Sequence, residues 1–252
     1  MRTVLAVLLL ACLWPRSAHA GRTFYGWLTG TEVVPERGVE LQTWIQDETD
    51  KYSTRNEETW LAWGVMVGVT DQLEIGLPIE LEWADVITPG MGGMAPSERV
   101  TFTFKRFGIE ARYRLAPPDP VDAPALVPLV RVAVKRDVTT RDEVRVEGDA
   151  VVSHQTGPVQ LLVDVGLSGD LASGSSHLEV HPGAGISVQA TGELRVGAEI
   201  YAELSLDTRS ESWATAGPDV SWTHGRFWFS GAFGIGLYHV QISPRVIWGI
   251  AF

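Results

Sequence analysis

The chain has 252 residues, is 45% hydrophobic and carries 31 acids against 20 Lys and Arg, for a net charge of −11. An acidic excess of this size argues against nucleic acid as a partner. Its one cysteine, Cys12, rules out an intramolecular disulfide scaffold, and no later run is apolar and long enough for a membrane-spanning helix.

The amino end has a basic start (Arg2), an apolar core (Val4 to Trp14) and the small-residue site Ala18-His19-Ala20. This predicts a secretory signal peptide over residues 1–20, cut near Ala20. Its loss would remove Arg2 and Arg16 and no acid, taking the net charge from −11 to −13. The segment Leu9-Leu10-Ala11-Cys12 offers a rival, lipoprotein-like cut with Cys12 as the lipidated residue. Residues 21–37 alternate poorly and read as a periplasmic or plug segment, with Phe24, Tyr25 and Trp27 as its aromatics.

From Gly38 to Phe252 the chain alternates with a period of two, the mark of strands with two unlike faces. The first strand sets Val39, Leu41 and Ile45 against Glu40, Gln42, Trp44 and Gln46, before a polar loop from Asp47 to Glu58. The second and third strands are joined by the tight turn Thr70-Asp71-Gln72, and the third places Glu74, Glu80 and Glu82 on its polar face. A Gly/Met/Pro loop over 88–99 leads to a fourth strand with Glu110 and Arg112 on its polar side. That strand changes parity after Phe104, which predicts a β-bulge near Lys105-Arg106.

Polar faces continue with Arg131 and Lys135 on the fifth strand, Arg145 and Glu147 on the sixth, and Asp164 on the seventh. A Gly/Ser loop is expected from Leu171 to Ser176. The eighth strand carries Glu179, the ninth Arg195, Glu199 and Glu203, the tenth Asp219 and the last Arg245. The final strand alternates Val246, Trp248, Ile250 and Phe252 and ends on that aromatic.

About twelve such strands, with tight turns after the second, sixth, eighth and tenth and longer links after the first, third, seventh and ninth, predict an all-β protein. The specific expectation is a transmembrane antiparallel up-and-down β-barrel over residues 38–252. Apolar-face aromatics fall near both ends of the strands. Tyr113, Trp222, Phe227 and Phe252 lie at one end and Trp63 and Trp83 at the other, as two interface belts would. The apolar faces then contact outer-membrane lipid, and the polar faces line a passage for small-molecule solutes. The acids on those faces outnumber the bases, so the interior is expected to be negative and to prefer cations.

The hairpin Gly68-Val69-Thr70-Asp71-Gln72-Leu73-Glu74-Ile75-Gly76-Leu77 and its weaker echo Thr191-Gly192-Glu193-Leu194-Arg195-Val196-Gly197-Ala198 resemble a segment of a transporter family. That family comprises outer-membrane transporters first associated with phenol meta-cleavage operons. The terminal strand likewise resembles that of bacterial outer-membrane barrels, where it is an insertion signal read by barrel-assembly machinery. The resemblance implies a channel or transporter in the outer membrane of a Gram-negative bacterium, for small molecules including aromatic or hydrophobic ones. It implies no cofactor and supplies no catalytic residues.

Two local patterns invite chemistry. His177, Glu179 and His181 share one strand face and form a weak candidate metal site. Ser153-His154 would be a nucleophile and base of a lipid-modifying enzyme only if they met. As strand neighbours they point to opposite faces, so an enzyme and a closed structural barrel remain the alternatives to a channel.

Overall fold

The computed structural model describes residues 23–252 apart from 52–55, 89–96, 118–125, 141 and 209–210. The signal peptide, Cys12 and most of the Gly/Met/Pro loop therefore lie outside the described residues. Twelve strands follow one another: β1 Val39–Thr49, β2 Asn56–Gly68, β3 Leu73–Thr88, β4 Ser97–Arg114, β5 Val127–Asp137 and β6 Val144–Thr156. They continue as β7 Val159–Ala172, β8 Ser175–Gln189, β9 Leu194–Ser205, β10 Trp213–His224, β11 Phe227–Tyr238 and β12 Ile242–Ala251. Each pairs antiparallel with its neighbours in sequence, and β1 pairs with β12, so the sheet closes into a barrel. Closure removes the free edges that an open sheet would expose.

The two faces are inverted relative to a water-soluble core. Outward side chains are apolar and exposed, among them Phe102 (67%), Leu77 (56%) and Val163 (54%). Inward ones are polar and buried, as with Glu40 (0%), Ser230 (0%) and Glu74 (1%). This is the dyad pattern of a barrel in lipid with a polar interior. The outward aromatics sit near the strand ends: Trp83 meets Phe102 at 6.4 Å, and Trp222 meets Phe227 at 5.9 Å at the opposite end.

Parity along β4 is restored by a bulge. Glu80 pairs with Arg106 but Leu81 pairs with Phe104, which leaves Lys105 as the extra residue. The tight turns follow their side-chain chemistry. The Thr70 hydroxyl accepts from the N–H groups of Gln72 and Leu73, and the Thr191 hydroxyl accepts from those of Glu193 and Leu194.

Two loop boundaries differ from the sequence reading. β1 runs on to Thr49 and β2 starts at Asn56, because Asp47 is tied to Thr59 across the pair at 2.9 Å. The Gly/Ser run from Leu171 to Ser176 is mostly strand, and only a two-residue turn separates Ala172 from Ser175. Gly174 has φ +87°, the left-handed backbone that lets the chain reverse so tightly. The link after β7 is therefore short, on the side where the other links are longer.

Candidate functional site in the barrel interior

The interior holds two structures side by side: the residues before β1 and a network of ion pairs. Residues 23–36 run within the bore and join β1 at its tight-turn end, where the Arg37 N–H donates to the Gly68 carbonyl at 2.8 Å. The segment turns back on itself around Gly26. A Cβ there would stand 2.6 Å from the Ala232 Cβ, so the backbone lies against β11. Such an irregular strip leaves its amide groups without ladder partners, and inside a barrel they need others.

The barrel wall supplies them. The Glu199 carboxylate accepts three successive N–H groups, from Gly26 (2.8 Å), Trp27 (2.9 Å) and Leu28 (3.1 Å). Asp164 accepts from Thr29 at 2.9 Å, and Glu74 accepts from Val34 at 2.7 Å. Arg112 donates to the Gly30 carbonyl at 2.7 Å, and Arg245 donates to that of Trp27 at 3.4 Å. The Thr31 and Ser153 hydroxyls share a hydrogen bond of 2.7 Å.

Aromatic packing completes the seat. Trp27 stacks on Tyr201 with centroids 5.0 Å apart and meets the edge of Trp213, fully buried, at 5.4 Å. Its indole N–H donates to the Ser243 carbonyl at 3.2 Å. The guanidinium of Arg245 lies 5.3 Å over Trp27, and that of Arg195 lies 4.3 Å over Phe24.

Across the bore, β3 to β8 carry the ion network. Arg131 binds Glu110 (2.7 Å), Glu147 (2.7 Å) and Asp149 (2.6 Å). Lys135 bridges Glu80 (2.5 Å) and Glu147 (2.8 Å). Arg145 holds Asp170 (2.7 Å), Glu147 (3.0 Å) and Glu179 (3.3 Å). Between this wall and the segment lies a cavity of about 330 Å³. Its lining reaches from Glu48 and Lys51 at the loop end of the strands to Met66 and Trp228 toward the tight-turn end.

The residues singled out from the polar faces divide among these structures. Glu74, Arg112, Asp164, Glu199 and Arg245 hold the segment, and Arg195 stacks on it while bonding Ser187 at 2.9 Å. Glu80, Glu110, Arg131, Lys135, Arg145, Glu147 and Glu179 belong to the network. Glu82 pairs with the bulged Lys105 at 3.2 Å, and Glu40 accepts from Gln42 at 2.7 Å. Glu203 accepts from the Trp213 indole (2.9 Å) and the Tyr201 hydroxyl (3.1 Å). Asp219 is 5% exposed, and neither of its oxygens has a hydrogen-bond partner.

The weak metal candidate is differently engaged. His177 and His181 both approach Glu179, at 3.2 and 3.5 Å, but Arg145 neutralises that carboxylate. Among the described residues no three His, Cys, Asp or Glu side chains are placed to hold a metal ion. Ser153 points inward to Thr31, and His154, the next residue of β6, points the other way.

The inward aromatics Tyr201, Trp213 and Trp60 and the cation Arg106 are among the residues that the sequence reading passed over as site residues. Their signal was parity: Tyr201 shares a face with Glu199 and Glu203, where a strand bathed by water would carry a polar group.

No protein-family model matches the sequence, and no curated protein matches it either. The fold is similar to solved structures of outer-membrane barrels at low sequence identity. One is an outer-membrane channel from Pseudomonas putida F1, with TM-score 0.55, 12% identity, and coverage of 88% of this chain and 98% of that one. Another is the translocator domain of the autotransporter NalP from Neisseria meningitidis, with TM-score 0.54, 14% identity, and coverage of 85% and 88%. A third is the β domain of the Bordetella autotransporter BrkA, with TM-score 0.52, 11% identity, and coverage of 85% and 99%.

Proposed function

We propose that this barrel is an outer-membrane channel for small solutes and that residues 23–36 are its built-in plug. The observation that carries the reading is the polar cavity beside the segment, whose lining extends toward both ends of the strands. A structural barrel of this width could have filled its bore with apolar side chains. Instead, the bore combines buried charges with space for water. The resemblance to an outer-membrane channel supports the same reading, as does the apolar outer surface facing lipid.

In this reading the chain is exported by residues 1–20, cut near Ala20, and inserted by the barrel-assembly machinery through its last strand. The tight turns face the periplasm, and no cofactor takes part. The resemblance of the Thr70 hairpin to phenol-pathway transporters puts aromatic and hydrophobic compounds among the solutes to test. Ser153 is spent on Thr31 and His154 points to the opposite face, so these two neighbours form no nucleophile–base pair.

The test is single-channel recording from the refolded protein and from a variant lacking residues 23–36. The plugged form should show small, cation-preferring conductance, because acids outnumber bases on the inward faces, and added salt should weaken that preference. Deleting the segment should raise the conductance several-fold. Equal and negligible currents from both would establish a closed structural barrel instead.

A further inference from the structure

We propose that the cavity beside the plug is a binding site for a neutral ring polyol, a single sugar unit. The site begins with one strand. Gln42, Trp44, Gln46 and Glu48 alternate along the inward face of β1, and all four line the cavity. Trp44 is half-buried, and among the described residues no ring or cation stacks on it. Its cross-strand neighbours are the aliphatic Ala62 and Ile247, and its indole lines the cavity with part of its surface exposed. The amides on either side are oriented by their neighbours: Gln42 donates to Glu40 at 2.7 Å, and Gln46 donates to Glu48 at 2.5 Å. Each keeps its amide oxygen as an acceptor beside the indole.

Farther round the same wall, β4 contributes a donor. Arg106 lies 5.5 Å from the Trp60 ring centre and lines the same cavity. Its contacts with Glu80, Asp137, Glu143 and Asp170 are all between 3.7 and 4.0 Å, and its Nε is buried without a hydrogen-bond partner. Arg131, by comparison, closes three ion pairs at 2.7 Å or less. Arg106 is charged and close to acids, but its donors are unspent.

These features select a class of ligand. A charged solute would have to break ion pairs that already satisfy Arg131, Lys135 and Arg145. A wholly apolar or aromatic solute would strip water from the charged wall and return no hydrogen bonds. A sugar ring avoids both problems. Its flat C–H face suits the indole, and its edge hydroxyls both donate and accept, as amide oxygens, carboxylates and an unspent guanidinium require. The volume of about 330 Å³ lies at the small end of ligand pockets, suiting one ring with some water.

The inference goes beyond the channel reading, and its test needs no conduction. The full barrel in detergent is examined by saturation-transfer NMR with D-glucose, with glycerol and benzoate as comparisons. Transfer to the glucose ring protons, with little to either comparison compound, is expected. Trp44→Ala should weaken glucose binding about tenfold, Trp44→Phe should retain most of it, and Arg106→Gln should weaken it with the barrel intact. Resistance of each variant to unfolding in unheated gels confirms the fold; should Trp44→Ala fail there, Arg106→Gln and Trp44→Phe decide. Equal transfer to glycerol, benzoate binding without glucose binding, or glucose binding indifferent to Trp44 and Arg106 would each overturn the assignment.

Discussion

The two sides of the bore are built from different residues for different tasks. On β8, β9 and β11 the inward positions are often small: Gly183, Gly185, Gly197, Ser187 and Ser230. A Cβ on Gly185 would come within 2.5 Å of the Tyr25 ring, and one on Gly183 within 2.3 Å of Leu28. Small residues here leave room for another piece of chain. On β4 to β6 the inward positions carry Glu110, Arg131, Lys135, Arg145 and Glu147, which fill their side of the bore themselves. One wall is a mould and the other is a lattice of charge. The mould depends on an occupant, whereas the lattice is satisfied by its own members.

The charged wall is the more vulnerable of the two. Arg131→Met would leave Glu110, Glu147 and Asp149 buried around a missing cation. The expected cost is about 3–5 kcal/mol, because Glu110 and Asp149 lose the cation that pairs them, while Glu147 keeps Lys135 and Arg145. Urea titration of the folded barrel in detergent checks this, and a loss below about 1 kcal/mol would mean that water compensates for the arginine.

On the moulded side the expected effect is smaller and falls on the segment rather than the barrel. Glu199→Ala removes the acceptor of three N–H groups. This should weaken seating of residues 23–36 by about 1–3 kcal/mol and leave barrel stability nearly unchanged. Hydrogen exchange resolves the two: the amides of Gly26, Trp27 and Leu28 should lose protection while the strand amides keep theirs. Uniform loss across the barrel would erase the distinction between the walls.

The mildest probe is Gly185→Ala. One methyl against Tyr25 and Leu28 should cost about 1 kcal/mol, again confined to the segment. A shift in segment protection smaller than that for Glu199→Ala, with unchanged urea behaviour, is the expected result. An unaltered segment would show that the aromatic ring has room to move.

Much of the architecture was legible in the sequence because a barrel of sequential hairpins needs only local information. Each strand pairs with the next one, and a period of two tells lipid from lumen. The bulge at Lys105 was visible as a parity change between Phe104 and Phe107. The Gly/Ser run at 171–176 was misleading, since Gly174 serves a tight turn as readily as a loop. The division of labour inside was not legible. Glu199 and Glu203 are alike in sequence, four residues apart on one face, yet one grips backbone N–H groups and the other grips Trp213. Period two puts both inward but says nothing of what stands opposite. Partners that come from residues 23–36 depend on how an irregular strip folds, and no periodicity encodes that.

The seam between β1 and β12 has a consequence for the order of events during biogenesis. Residues 23–36 lead directly into β1, and β1 is closed by the last strand to be synthesised. That last strand also carries Ser243 and Arg245, which bind Trp27. A chain arrested before β12 lacks both the closing strand and part of the seat for its own amino-terminal strip. Closing the ring and completing the seat of residues 23–36 thus both await the same ten residues.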